Sequence, residues 1–125
     1  MQSEGARRRK IVVVEDDPEI RDLEMFLLAS EGFDVVPVAN GLDAYEVIKR
    51  EDADLVVLDL MLPGKDGNAV LDELEADPET ANVPVIVVSA FTEKLGQAQQ
   101  IRRVIPKPFD VMELLDGISQ ELAAG

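Results

Sequence analysis

Cysteine and histidine are both absent from the 125 residues. Disulfides and thiol chemistry are therefore excluded, and any metal must be held by oxygen alone. Positive charge is scarce, with 12 Lys and Arg against 26 Asp and Glu and a formal charge of −14. A surface of that sign repels the phosphates of nucleic acid and the anionic face of a membrane, so neither is an expected partner. The one basic run, Arg7-Arg8-Arg9-Lys10, reads as a solvated lead-in to the first strand. No apolar run approaches the length of a bilayer span, and the polar, basic stretch from Met1 to Lys10 is not followed by the apolar region of a signal peptide. The expected compartment is the cytoplasm. No Gly-x-Gly-x-x-Gly follows the first strand, which removes support for a dinucleotide site.

With 46% hydrophobic and 30% charged residues, the chain has the composition of an ordered globule with room for one domain. That domain is expected over residues 10–123, after a flexible lead-in at residues 1–9. Three apolar runs end in polar groups. Ile11-Val12-Val13-Val14 ends at Glu15-Asp16, Leu55-Val56-Val57-Leu58 ends at Asp59, and Val85-Ile86-Val87-Val88 ends at Ser89. A shorter run reaches Lys107.

Between these strands lie helical patterns. Asp17-Pro18 supplies an N-cap and a preset first residue to a helix carrying Ile20, Leu23 and Leu27 inward. Phe33 to Val38 reads as an edge strand, because Pro37 removes a ladder donor. Asn40-Gly41 turns into a helix with Ala44, Val47 and Ile48 on one face, and Val70, Leu71 and Leu74 mark a third helix ending before Asp77-Pro78. Leu95, Ala98 and Ile101 predict a short helix from Thr92 to about Gln100, weakened by Gly96. Arg103 to Ile105 reads as a fifth strand, and Asp110 caps a last helix bearing Met112, Leu114, Leu115, Ile118 and Leu122.

Alternating strands and helices imply a parallel sheet covered on both faces by right-handed crossovers. The expected fold is α/β, a flavodoxin-like, doubly wound, five-stranded sheet of order 2-1-3-4-5 with five helices, the fourth short. In that order the crevice lies beyond the carboxyl ends of the first and third strands, where Glu15, Asp16 and Asp59 stand.

Three carboxylates brought together repel one another by about 4 kcal/mol per pair at an effective dielectric near 20, and a divalent cation removes that cost. Few carboxylates with room for water favour magnesium over calcium. A magnesium ion beside Asp59 suits phosphoryl transfer with Asp59 as nucleophile, while Lys107 offers a positive charge and Ser89 a hydroxyl to the phosphoryl group.

Four motifs occur in order: Val13-Val14-Glu15-Asp16-Asp17-Pro18, Asp59-Leu60-Met61-Leu62-Pro63-Gly64-Lys65-Asp66-Gly67, Pro84 to Ala90, and Lys107-Pro108-Phe109. From about Lys10 to Leu122 the chain resembles the receiver domain of bacterial two-component response regulators. The resemblance implies that Asp59 takes a phosphoryl group from a phosphohistidine on a sensor histidine kinase or histidine phosphotransfer protein. It implies that Glu15, Asp16, Asp59 and the Met61 backbone carbonyl bind Mg2+, with Mn2+ able to replace it. Ser89 and Lys107 would bind the phosphate, Lys107-Pro108 would be cis, and the domain would be a phosphoacceptor rather than a turnover enzyme. A downstream protein, unnamed by the sequence, would read the switched surface, with the domain a monomer or a phosphorylation-dependent dimer.

The chain also departs from that pattern. Val104 stands where receivers usually carry Tyr or Phe three residues before the lysine, so a rotating aromatic switch is not expected there. Met61 and Phe91 are apolar at positions that influence hydrolysis in related domains, which predicts a long-lived phosphoaspartate. Asp17 and Asp66-Gly67 read as cap and turn chemistry, and Lys65 as a surface lysine. A hydrolase of the haloacid dehalogenase type would need an acid at Met61. The remaining alternative is a pseudo-receiver that keeps the fold as a phosphorylation-independent interaction module. With no room for an output domain, the chain is read as a single-domain regulator or part of a larger protein.

Overall fold

The computed structural model describes residues 8–124. The expected lead-in therefore lies outside the described residues, apart from Arg8 and Arg9. Five strands form one parallel sheet: β1 (Lys10–Val14), β2 (Asp34–Val38), β3 (Leu55–Leu58), β4 (Val85–Ser89) and β5 (Ile101–Pro106). Their order is β2-β1-β3-β4-β5, as the sequence predicts. Pro37 lies in the edge strand β2, paired with Val13. No helix among the described residues is long and apolar enough to cross a membrane.

The helices are α1 (Pro18–Ser30), α2 (Ala44–Arg50), α3 (Gly67–Ala76) and α4 (Val111–Ala124). Asp17 Oδ1 accepts from the Glu19 and Ile20 amides with Pro18 opening the helix. Asp66 Oδ1 accepts from Ala69 and Asp110 Oδ1 from Met112 and Glu113, so each cap satisfies donors that the first helical turn leaves unpaired. Alternate residues of the central strands feed two cores. Val12, Val14, Val56 and Leu58 pack with Ala44 and Ile48 of α2 and Val70, Leu71 and Leu74 of α3. Ile11, Val13, Leu55 and Val57 pack with Leu28 of α1 and Leu114, Ile118 and Leu122 of α4. Strands buried on both faces explain the uninterrupted apolar runs.

Three expectations are corrected. The described residues hold four α-helices, not five, because only a 3-10 turn at Thr92–Lys94 lies between β4 and β5. The Asn68 side chain intercepts the backbone there, with Nδ2 donating to the Lys94 carbonyl at 2.7 Å and Oδ1 accepting from the Gly96 amide at 2.8 Å. Backbone groups that a continuing helix would pair are thereby taken, and Gly96 has little helical preference to oppose this. The chain then enters β5 at Ile101, two residues before the expected start, leaving Val104 39% exposed. In α1 the buried positions are Glu24 and Leu28, while Leu23 is exposed. The inward stripe is thus rotated from the one expected, and it contains an acid.

Candidate functional site

Strand register sets the site. Val14 pairs with Leu58, and the Asp59 amide donates to the Val14 carbonyl at 3.1 Å, so Glu15 and Asp59 emerge side by side just past the last residue pair. On the other side, Ser89 pairs with Pro106 and the Lys107 amide donates to the Ser89 carbonyl at 3.1 Å, which delivers Lys107 to the same edge. The Lys107-Pro108 bond is cis. Carboxylate oxygens of Glu15, Asp16 and Asp59 all lie within 4.8 Å of one another. Glu15 and Asp59 are buried and Asp16 is exposed.

Lys107 Nζ bridges the two buried acids, at 2.6 Å from Glu15 Oε1 and 2.9 Å from Asp59 Oδ2. Burial pushes the Glu15 carboxyl up despite its bond to Lys107. Burial also lowers the Lys107 ammonium, but hydrogen bonds to Glu15 and then Asp59 outweigh it and leave Lys107 above its ordinary value. The lysine is therefore charged at neutral pH and offsets part of the carboxylate repulsion.

The remaining sequence-predicted residues border this cluster. The Met61 amide donates to Asp59 Oδ1 at 3.2 Å, and the residue is 43% exposed. Ser89 is fully buried, its Oγ accepting from the Phe91 amide at 3.1 Å. The structure thus brings Glu15, Asp16, Asp59 and Lys107 into one cluster and sets Ser89 beside it through the backbone of Lys107. The loop after Asp59 is pinned by close approaches: a Cβ on Gly67 would lie 2.6 Å from the Asp59 carbonyl oxygen, and one on Gly41 1.6 Å from that of Lys65. Only glycine permits these contacts.

Two α1 residues at the site were not singled out from the sequence. Arg21 Nη1 donates to the carbonyls of Glu15 and Asp16 at 3.0 and 3.2 Å. Glu24 is 1% exposed, its Oε1 has no hydrogen-bond partner among the described residues, and burial followed by the Glu15 charge pushes its carboxyl up to about 8. The only available signal was negative, an acid interrupting an apolar helical stripe. Beside Lys107 runs an apolar groove of about 220 Å³ lined by Ile20, Leu23, Pro108, Phe109 and Val111. A larger depression of about 530 Å³ at Leu95, Gly96, Ala98 and Ile101 contains none of the cluster residues and lies along the helix-free β4–β5 connection.

The chemistry of the donors is narrow. Three carboxylates without nitrogen or sulfur ligands suit a hard cation, and so few protein ligands leave positions for water and a phosphoryl oxygen. The Asp59 carboxylate and the Lys107 ammonium stand at that position. Comparison with known proteins agrees. The receiver domain of a Pseudomonas aeruginosa sensor histidine kinase, solved with magnesium in its active-site cleft, is 25% identical over 94% of this chain and 99% of its own, with a TM-score of 0.84. A Polaromonas sensor protein is 27% identical over 94% and 98%, with a TM-score of 0.85. A CheY-like response regulator receiver domain from Methylobacillus flagellatus is 28% identical over 93% and 99%, with a TM-score of 0.80. The family model for the response regulator receiver domain matches residues 11–119, and with strand order, acidic cluster and lysine in agreement, the chain belongs to that family.

Proposed function

We infer that this protein is a phosphorylation-dependent signalling switch that accepts a phosphoryl group on Asp59. The observation that carries the reading is the cluster itself, three carboxylates within 4.8 Å with Lys107 bridging Glu15 and Asp59. An Asp59 carboxylate oxygen attacks the phosphorus of a phosphohistidine and forms the aspartyl phosphate. The phosphorus–nitrogen bond breaks, and the imidazole leaves with that electron pair and takes up a proton. Glu15, Asp16, Asp59 and the Met61 carbonyl are the groups that would hold Mg2+, or Mn2+ in its place. When bound, the cation neutralises charge on the phosphoryl oxygens. Lys107 is already at Asp59 and can transfer its hydrogen bond to the phosphoryl group. The Ser89 oxygen is engaged as an acceptor, which leaves its proton free to donate. The domain turns over no substrate, and loss of its phosphate is a slow hydrolysis of its own product.

The donor is a sensor histidine kinase or a histidine phosphotransfer protein in the cytoplasm. To reach Asp59 such a partner must lie over the surroundings of the site, where the groove beside Lys107 and the exposed side chains of Leu23 and Phe26 offer apolar area. The phosphorylated state is read through the β4–β5 connection. Ser89 Oγ holds the Phe91 amide, and Phe91 opens that helix-free segment, so a hydroxyl drawn to the phosphoryl group disturbs its first residue. A rotating aromatic at Val104 is not needed for that coupling.

Phosphoramidate, whose phosphorus–nitrogen bond mimics that of phosphohistidine, tests the reading. In the presence of Mg2+ it should produce one hydroxylamine-labile phosphoryl group on the wild type and none on Asp59→Asn; equal labelling of both proteins would refute Asp59 as acceptor. Because Met61 offers no polar group to an attacking water, Met61→Asn should shorten the phosphate half-life several-fold. An unchanged, short half-life in both proteins would show that Met61 does not protect the phosphate.

A further inference from the structure

Arg21 lies in the first turn of α1, its amide bonded to the Asp17 carbonyl at 2.9 Å. Among the described residues its guanidinium forms no salt bridge. Nη1 instead donates to two consecutive carbonyls, those of Glu15 at 3.0 Å and Asp16 at 3.2 Å. These peptide groups belong to two of the three residues whose carboxylates form the cluster. Lys107 behaves differently, because its ammonium occupies Glu15 Oε1 and Asp59 Oδ2, oxygens that a divalent cation needs.

We propose that Arg21 is the positioning residue of the cation-binding pair. By bonding the carbonyls of Glu15 and Asp16 it fixes both peptide planes in the β1–α1 turn and holds the two carboxylates toward Asp59, without itself occupying any carboxylate oxygen that the cation needs. The Glu15 side chain completes the turn by accepting from the Asp17 amide at 3.1 Å, so the loop is fixed from both its carbonyl and its amide side. The proposal rests on the metal-assisted receiver reading above and adds to it a residue that touches neither the cation nor the phosphoryl group.

Charge and position predict opposite outcomes. If Arg21 acted only as a positive charge, its removal would tighten cation binding, since like charges repel. If it orders the loop, its removal weakens binding, as loss of an outer-shell partner typically costs about 10- to 100-fold in metal affinity. The test is a calorimetric Mg2+ titration of the full chain as wild type, Arg21→Met, which keeps the aliphatic stem, and Arg21→Lys, which keeps a donor and the charge. Urea unfolding of each variant confirms that it is folded. Arg21→Met is expected to bind Mg2+ about tenfold more weakly, with Arg21→Lys recovering most of the loss. At saturating Mg2+ the rate of phosphorylation by phosphoramidate should return to within about threefold of wild type, because Arg21 contacts no reacting atom. Equal or tighter binding by a folded Arg21→Met would overturn the proposal while leaving the receiver reading intact. Absence of saturable Mg2+ binding by the wild type would overturn both.

Discussion

Glu24 puts a carboxyl where the helix pattern calls for an apolar side chain, and the cost of ionising it there depends on pH. Burial pushes its carboxyl up to about 8 in the folded protein, against an ordinary value of about 4.5, so between those values the folded state binds more protons than the unfolded one. Stability must then fall as pH rises through that window and level off above it. At ~1.4 kcal/mol per pKa unit, the difference between its ends is about 5 kcal/mol. Glu24→Leu should remove this slope and stabilise the protein at pH 9 by a few kcal/mol, as measured by urea unfolding at pH 6 and pH 9 without Mg2+. A variant with an undiminished slope would place its origin elsewhere, the upward-shifted Glu15 being the nearest alternative. Glu15, Asp16, Asp59 and Lys107 were legible in the sequence because each ends an apolar run, and the register of parallel strands converts that pattern into proximity. Glu24 and Arg21 were not, since a single charged residue in a helix ordinarily faces solvent and their positions depend on how α1 is rotated against the sheet.

At the scale of elements, the strands were the most readable part of the chain, because a strand covered on both faces must be apolar throughout. The connection from β4 to β5 departs from its local pattern. Leu95, Ala98 and Ile101 have helical spacing, and all three are half-buried, but Asn68 on α3 takes the backbone groups that a helix would have used. A long-range contact of this kind leaves no local signal. Gly96, Gln97 and Gln99 are exposed beyond the 3-10 turn, whereas β4 is buried over its whole length. Hydrogen exchange should therefore find the amides of Gln97 to Gln99 exchanging at least a hundredfold faster than those of Val85 to Val88. Comparable protection in the two segments would mean that a fourth crossover helix forms in solution. Phosphorylation should change exchange in this connection before it changes exchange in α2 or α3.

For the molecule as a whole, the net charge of −14 makes self-repulsion a general force against the compact state, concentrated where Glu15, Asp16 and Asp59 converge. Moderate NaCl should raise the melting temperature by screening that repulsion. Mg2+ at equal ionic strength should raise it further in the wild type but much less in Asp59→Ala, which lacks one of the three carboxylates. Equal shifts in both proteins would reduce the cation to a screening ion. The central claim, that the convergent carboxylates and Lys107 form a phosphoryl-accepting switch, is tested most directly by intact-mass spectrometry after incubation with acetyl phosphate, with and without Mg2+, on wild type and Asp59→Ala. The account predicts one phosphoryl adduct, formed by the wild type only when Mg2+ is present and never by the mutant. No adduct on either protein, together with no Mg2+ binding, would contradict it and leave an interaction module that has kept the receiver fold without its chemistry.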